Sequence, residues 1–232
     1  MASHGLSTCG LVFLLYAFAP LRETWAADNE LTAEERANGW VLLFDGHDLT
    51  GWRNNNDRPV AATIEDGAIN VHNTGGYLLV YERPFGDFVL KCDVKMNGDS
   101  KCNSGVFVRT SDLADPVNTA LEVQVFGGQE SSMHGFGALY DLVGPTHDAR
   151  RGPGEWDTLE IRCQGSHVSV KVNGEEVATI NCDEWNQPGQ RLDGTQHKFG
   201  NRAIKDFARR GYLGLQDHGH DVWYKNIKLR EL

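Results

Sequence analysis

The chain has 232 residues, a net charge of −10 and an isoelectric point of about 5.3. Its apolar fraction of 40% and charged fraction of 23% are ordinary for a globular protein, and its length is sufficient for one sizeable core. An acidic chain without a cluster of Lys and Arg is poorly suited to bind nucleic acid or an anionic membrane, so we expect neither kind of partner.

Residues 1–26 are typical of a secretory signal peptide. The apolar run "GLVFLLYAFAP" is short for a membrane span, and Thr24 and Ala26 are small residues at positions −3 and −1 of a cleavage site after Ala26. We therefore expect export to the periplasm or the extracellular space. The mature protein, one domain over residues 27–232, is expected to have no membrane contact after cleavage. An uncleaved membrane anchor stays open, because the first ten residues contain no Lys or Arg.

Helix signals are scarce in the remainder. "LTAEERANGW" predicts a short helix with Thr32 as N-cap, two glutamates in its first turn and Gly39 as its stop. "NRAIKDFARRG" predicts a second helix that ends at Gly211.

Most of the chain is predicted to form short strands separated by Gly, Asn and Asp. "KVNGEEV" places an Asn-Gly pair between alternating apolar residues, which strongly indicates a β-hairpin. Strands at intervals of about ten residues are typical of a sandwich or barrel. The predicted fold class is therefore all-β with one or two short helices.

Four cysteines follow the signal peptide: Cys92, Cys102, Cys163 and Cys182. In an exported chain an even number of cysteines allows two disulfides, and three pairings are open. Free buried thiols are an equal alternative.

The stretch "TALEVQVFGG" contains the strand with the most unusual polar face. Its odd-numbered positions are aliphatic, while Glu122, Gln124 and Phe126 point to the other side. Two more strands follow the same pattern. "NSGVFVRT" has aliphatic Val106 and Val108 opposite a face with Arg109, and Asn103 lies at its entry beside a glycine.

The third strand, "GYLGLQDHG", sets Leu213 and Leu215 against a face that carries Gln216 and His218. Planar amides, carboxylates and guanidinium groups bind sugar hydroxyls, and aromatic rings stack on sugar faces. Three such strands predict a sugar-binding groove, with Tyr140, Trp185 and Trp223 as candidates for stacking. The alternative is an ordinary solvated sheet face.

A metal site is a weaker hypothesis. The "HGH" stretch lies between Asp217 and Asp221, and such spacing alone is poor evidence for a metal. We expect no cofactor, with a divalent cation as the open alternative. Nucleophile and phosphate-loop motifs are absent from the sequence.

Several ordered blocks resemble one known family. "GWVLLFDGHDLTGW" is similar to the opening of the 3-keto-disaccharide hydrolase domain family, which was long described as a domain of unknown function. "NSGVFVRT", "LEVQVF", "GALYDL", "GEWDTLEIRC" and "GYLGLQDHGHDVWYKNIKLREL" match its later blocks in order, so the resemblance covers about residues 39–232. It implies a concanavalin A-like jelly-roll β-sandwich in a protein secreted by bacteria.

The resemblance also implies cleavage of a glycosidic bond in a sugar that a partner oxidoreductase has oxidised at C3. Such chemistry needs a base for the C2 proton, an acid for the leaving group and donors for the enolate oxygen. We assign Glu122 as the base and His218 as the acid or alternative base. The predicted substrate-binding residues are Asn103, Arg109, Gln124, Tyr140 and Gln216.

Two other classes of protein stay open at this point. A carbohydrate-binding module or lectin would use the same amides and aromatic rings without needing a base. A structural β-sandwich of the cell envelope is the third alternative, and it gives no reason for the polar face of "LEVQVF".

Overall fold

The structure, a computed structural model, describes residues 1, 27–128 and 132–232. Except for Met1, the predicted signal peptide lies outside the described residues. No helix among the described residues is long and apolar enough to cross a membrane.

The described residues form thirteen strands and two short α-helices. The helices are α1 (Ala33–Ala37) and α2 (Pro116–Thr119). The strands are β1 (Val41–Leu42), β2 (Trp52–Asn54), β3 (Thr63–Glu65), β4 (Ala68–Asn70), β5 (Leu78–Tyr81), β6 (Phe88–Met96), β7 (Asn103–Thr110), β8 (Leu121–Phe126), β9 (Trp156–Gln164), β10 (His167–Val172), β11 (Glu175–Asn181), β12 (Tyr212–Gln216) and β13 (Val222–Glu231).

These strands build two antiparallel sheets. The large sheet has eight strands in the order β11-β10-β9-β6-β13-β4-β3, with β1 on β13, and the small sheet has five in the order β2-β5-β12-β7-β8. Alternate side chains of both sheets meet in one apolar cluster, for example Leu90 and Val94 from β6 with Val108 and Val123 from the small sheet. The predicted all-β jelly-roll sandwich with short helices is confirmed.

The predicted N-terminal helix is confirmed as α1. The Thr32 hydroxyl accepts from the Glu35 N–H, and the Glu35 carboxylate accepts from the Thr32 N–H, which completes a capping box. The second predicted helix is wrong: residues 201–211 contain only a single 3₁₀ turn, Ile204–Asp206. Ile204 is buried in the core, and Gly211 exchanges two backbone hydrogen bonds with Phe85, which keeps the following chain extended.

The predicted hairpin is confirmed between β10 and β11. Asn173 and Gly174 both have positive φ, 51° and 89°, as a two-residue type I′ turn requires. Of the two alternatives for the cysteines, the structure has the free thiols: all four cysteines of residues 27–232 are free and buried. Burial raises the pKa of Cys163 to about 12, so its thiol is neutral and unreactive at physiological pH.

A bulge in β7 overturns the predicted face of Arg109. Between the pairs Thr110–Tyr212 and Phe107–Gly214, β7 contains one residue more than β12, and Arg109 takes a φ of +55°. Its guanidinium, 2% exposed, donates to the Gly86 and Gly165 carbonyls and to the Asp87 carboxylate. Arg109 therefore joins the two sheets at one end of the sandwich and does not reach the polar face of Glu122.

We expect the Arg109→Met variant to lose about 3 kcal/mol of unfolding free energy, because two carbonyls and a carboxylate lose their donor. Urea denaturation measures this loss. Arg83→Met is the matched control: its exposed pair with Glu231 should contribute less than about 1 kcal/mol. Equal stability of the two variants would contradict the role given to Arg109.

Candidate active site

The outer face of the small sheet carries a row of buried polar side chains. Glu122 and Gln124 of β8 point to this face, while Leu121, Val123 and Val125 enter the core. In the register of β7 with β8, Glu122 lies opposite Phe107 and Gln124 opposite Gly105. The alternation predicted for this strand is confirmed.

Gly105 provides the space that Glu122 occupies. A Cβ atom at position 105 would lie 2.9 Å from Glu122 Oε1 and 3.1 Å from its Cγ. The missing side chain lets the carboxylate lie across β7, in the middle of the polar face.

Glu122 is the central ionisable group of this face, and it is only 6% exposed. Lys198 Nζ lies 3.1 Å from its Oε2, and Gln216 Nε2 lies 3.5 Å from its Oε1. Burial raises the pKa of Glu122 above its ordinary value, and the opposing effects of Lys198 and His218 offset only part of the rise. A carboxylate in this state is a stronger base than an exposed one.

Lys198 comes from a long loop, and no motif or strand pattern in the sequence predicts its place in the site. Its ammonium lies 4.3 Å from the centroid of the Tyr140 ring and 5.1 Å from that of Phe199. A single lysine in the stretch "GTQHKFG" has no periodic pattern around it. The contact with Glu122, 76 residues away in the chain, is purely tertiary.

The segment before Tyr140 runs along β8 as an additional edge. Tyr140 N–H donates to the Glu122 carbonyl at 2.9 Å, and Gln124 exchanges backbone bonds with Gly137 and Ala138. This pairing brings the Tyr140 ring beside Lys198, so the structure places Tyr140 in the predicted region. The His134 ring also packs against Tyr140, with the two ring centroids 4.6 Å apart.

Gln216 and Tyr77 close the other side of Glu122. Gln216 Nε2 lies 2.5 Å from the Tyr77 hydroxyl oxygen, which accepts its hydrogen bond. Burial and the Glu122 charge raise the pKa of Tyr77 to about 12, so the phenol keeps its proton. The strand pattern predicts Gln216 as a site residue. No sequence pattern predicts Tyr77, which lies one residue before β5.

Two buried acceptors on this face lack a hydrogen-bond partner within residues 27–128 and 132–232. Gln124 donates its Nε2 to Asn103 Oδ1 at 3.1 Å, which orients the amide. Gln124 Oε1 and Gln216 Oε1 have no partner among the described residues, although both side chains are at most 3% exposed. Buried acceptors of this kind usually have a partner, so both oxygens are suited to accept from a ligand.

His218 follows β12 and is exposed at the rim of the face. It lies close enough for its charge to lower the pKa of Glu122, and its ring centroid is 6.4 Å from that of His220. The structure therefore keeps His218 beside the site, with its ring accessible to a ligand.

The other candidates for stacking and metal binding lie elsewhere. Trp185 is buried in the core, and Trp223 lies on the large sheet, where its indole donates to Glu65. Asp217 accepts from Thr74, and Asp221 accepts from Asn70, both through hydrogen bonds within the protein. Across residues 27–128 and 132–232, no group of three His, Cys, Asp or Glu side chains is arranged to hold a metal.

A buried carboxylate, an ammonium and amide oxygens without a protein partner on one sheet face of a jelly-roll sandwich suit the binding of a ligand rich in hydroxyl groups, such as a carbohydrate. The sequence profile of the 3-keto-alpha-glucoside-1,2-lyase-like domain matches residues 39–230. The chain therefore belongs to that family, as the resemblance of its blocks predicted.

Relatives agree with this assignment. A 3-keto-disaccharide hydrolase of Bacteroides thetaiotaomicron is 27% identical over 84% of this chain and 79% of its own length. The crystal structure of a candidate glycosyl hydrolase from Parabacteroides distasonis is 27% identical, with a TM-score of 0.73 over 84% of this chain and all of its own. A galectin-like structure from Bacillus subtilis, 11% identical with a TM-score of 0.51 over 88% of this chain and 94% of its own, supports the fold alone. The two relatives at 27% identity support a glycoside hydrolase family.

The raised pKa of Glu122 gives a prediction for stability. Neutral Glu122 contributes stability that is fully present below the pKa of the unfolded chain and is lost as pH rises through the folded value. Since Gln imitates the neutral acid, Glu122→Gln should be more stable than the parent at pH 7, with the difference shrinking towards pH 4. Urea denaturation at both pH values tests this.

Glu65→Gln is the control, and its stability at pH 7 should change in the opposite direction. Hydrogen bonds from Trp223, Thr63 and Asn70 lower the pKa of Glu65, so this variant should be less stable than the parent at pH 7. A Glu122→Gln variant that is less stable than the parent at pH 7 would contradict the burial cost assigned to Glu122.

Proposed function

We propose that the protein cleaves the glycosidic bond of 3-keto-glycosides, including 3-keto-disaccharides, by removing the C2 proton. The observation that carries this proposal is the buried Glu122 carboxylate, with its raised pKa, beside Lys198 on a sheet face that has free acceptors. Family membership supports the same substrate class.

The proposed reaction has two stages, an elimination and a hydration. Glu122 takes the proton from C2, which the C3 ketone has acidified, and the electron pair forms an enolate. The enolate then expels the C1 substituent, which leaves as an alcohol after it receives a proton. Water finally adds across the C1–C2 double bond, with its hydroxyl on C1 and a proton on C2, and a free 3-keto sugar results.

Five polar residues around Glu122 have roles in this scheme. Lys198, 3.1 Å from the base, donates to the C3 oxygen as negative charge develops there. Gln124 Oε1 and Gln216 Oε1 accept from sugar hydroxyls. Asn103 positions Gln124, and the exposed His218 is the acid for the leaving oxygen.

An ordinary retaining glycosidase is a poorer explanation of this face. Its mechanism needs two carboxylates about 5 Å apart across the scissile bond. The same-face neighbours of Glu122 are Gln124 in β8 and Ala120, one residue before β8, and neither is acidic. A single base surrounded by neutral donors and one ammonium suits proton abstraction better.

The proposal includes a cellular setting. A ketone at C3 has to be made first, so an upstream sugar oxidoreductase supplies the substrate. The signal-like sequence of residues 1–26 supports a place in the periplasm or outside the cell. We propose no resident cofactor, and activity with and without EDTA tests the alternative of a divalent cation.

We expect purified protein to cleave 3-keto-trehalose and to leave trehalose intact. In D₂O, it should also exchange the C2 proton of the 3-keto sugar for deuterium, because the base acts at C2. Glu122→Gln should lower turnover and exchange about a hundredfold to ten-thousandfold, since a general base contributes that much. Mass spectrometry and NMR measure both.

Glu160→Gln, on the large sheet, is the control and should retain full rates. Cleavage without C2 exchange in D₂O would overturn the elimination route. Retained binding of 3-keto-trehalose with no cleavage would instead favour a carbohydrate-binding module, and Glu122 would lose its catalytic role.

The free amide oxygens give a second prediction for this site. Gln124→Met removes one acceptor while keeping the side-chain volume, so KM for the 3-keto substrate should rise about tenfold with a smaller change in kcat. Steady-state kinetics checks it, with Gln164→Met at the exposed end of β9 as the control. An unchanged KM would exclude Gln124 from substrate binding.

A further inference from the structure

Asp141 is a second nearly buried carboxylate close to the site, and the reaction scheme does not use it. Its side chain is 14% exposed, and its φ is +60°. Arg191 donates from Nη2 to Asp141 Oδ1 at 2.5 Å and from Nε to the Asp141 carbonyl at 2.9 Å. His134 Nε2 lies 3.3 Å from the same Oδ1.

The other carboxylate oxygen of Asp141 holds the backbone of Lys198. The Lys198 N–H donates to Asp141 Oδ2 at 2.6 Å. Asp141 directly follows Tyr140, whose N–H is bonded to the Glu122 carbonyl at 2.9 Å. The side chain of Lys198 then returns to Glu122 Oε2 at 3.1 Å. These contacts form a closed ring through Glu122, Tyr140, Asp141 and Lys198.

We propose that Asp141, clamped by Arg191, is the positioning residue that holds the Lys198 ammonium on Glu122. The role of Lys198 in turnover rests on the proposed function, but the positioning itself does not. Without the Asp141 carboxylate, the loop keeps the bond from Arg191 Nε to the backbone carbonyl of residue 141 but loses the bond at the Lys198 N–H, and the ammonium withdraws from Glu122.

Removing the charge of Asp141 has two effects on the pKa of Glu122, and they act in opposite directions. Loss of a nearby negative charge would by itself lower the pKa of Glu122. Withdrawal of Lys198 would raise it, because the ammonium is the largest influence that opposes the burial of Glu122. The direction of the change therefore separates positioning from a direct charge effect.

The other groups that face Glu122 come from three different segments and stay in place in this test. They are Gln216 and His218 at the end of β12, Tyr77 before β5, and Tyr140. Asn tolerates positive φ better than most residues, so Asp141→Asn leaves the backbone unstrained.

The experiment is a ¹³C-NMR titration of the Glu122 carboxyl group in the full chain, which needs no substrate. Asp141→Asn should raise the pKa of Glu122 by about one unit, the size expected when an adjacent opposite charge is lost. Arg191→Met should shift it in the same direction by less. If Asp141→Asn unfolds the chain, Arg191→Met provides the reading.

A double-mutant cycle identifies the intermediary. Lys198→Met alone should raise the pKa of Glu122, and Asp141→Asn added to it should raise it no further. An additional rise in the double variant would mean that Asp141 acts on Glu122 by another route, which overturns the proposal. Asp57→Asn, which breaks the exposed pair with Arg53, is the control and should change nothing.

A lowered or unchanged pKa of Glu122 in both Asp141→Asn and Arg191→Met would also overturn the proposal. Failure of the proposed function would give a different result. No 3-keto substrate would be cleaved, while the NMR titration would still show the raised pKa of Glu122 in the variants. With activity present, the acid limb of the kcat/KM profile should move to higher pH in Asp141→Asn, because ionised Glu122 is the base.

Discussion

The site depends on one interaction, the ion pair between Glu122 and Lys198. A carboxylate that is 6% exposed has lost most of its hydration, and a single ammonium compensates for only part of that loss. The imbalance keeps the pKa of Glu122 raised, which is useful for a base and costly for stability. Gly105, Gln216 and Tyr77 are arranged around this pair to make room for the carboxylate and to limit its contact with water.

The two charges of this pair have different structural origins. Glu122 is fixed by the ladder of β7 and β8, the rigid part of the sandwich. Lys198 comes from a loop. Its N–H donates to the Asp141 carboxylate, and the N–H of the neighbouring Tyr140 donates to the Glu122 carbonyl, which ties that loop to β8. A rigid sheet that supplies the carboxylate and a hydrogen-bonded loop that supplies the cation together can build a precise site at the rim of a β-sandwich.

The chain contains another buried cation, Arg109, and its role shows how local backbone geometry decides function. An unbulged β7 would point Arg109 towards the face of Glu122. The extra residue in β7 and the positive φ of Arg109 turn the guanidinium to the end of the sandwich, where it joins Gly86, Asp87 and Gly165. The bulge therefore gives Arg109 a structural role in place of the predicted substrate-binding role. Lys198 supplies positive charge at the site instead.

Alternation and turn chemistry are local, so the sequence by itself determined the all-β class, the helix capped by Thr32, the Asn173–Gly174 turn and the polar face of Glu122, Gln124 and Gln216. Motif order likewise identified the family. The tertiary structure alone decided that Arg109 turns away, that Lys198 reaches Glu122 and Tyr77 reaches Gln216, and that Ile204 packs without a helix. Each of these depends on contacts between residues far apart in the chain, which no local pattern encodes.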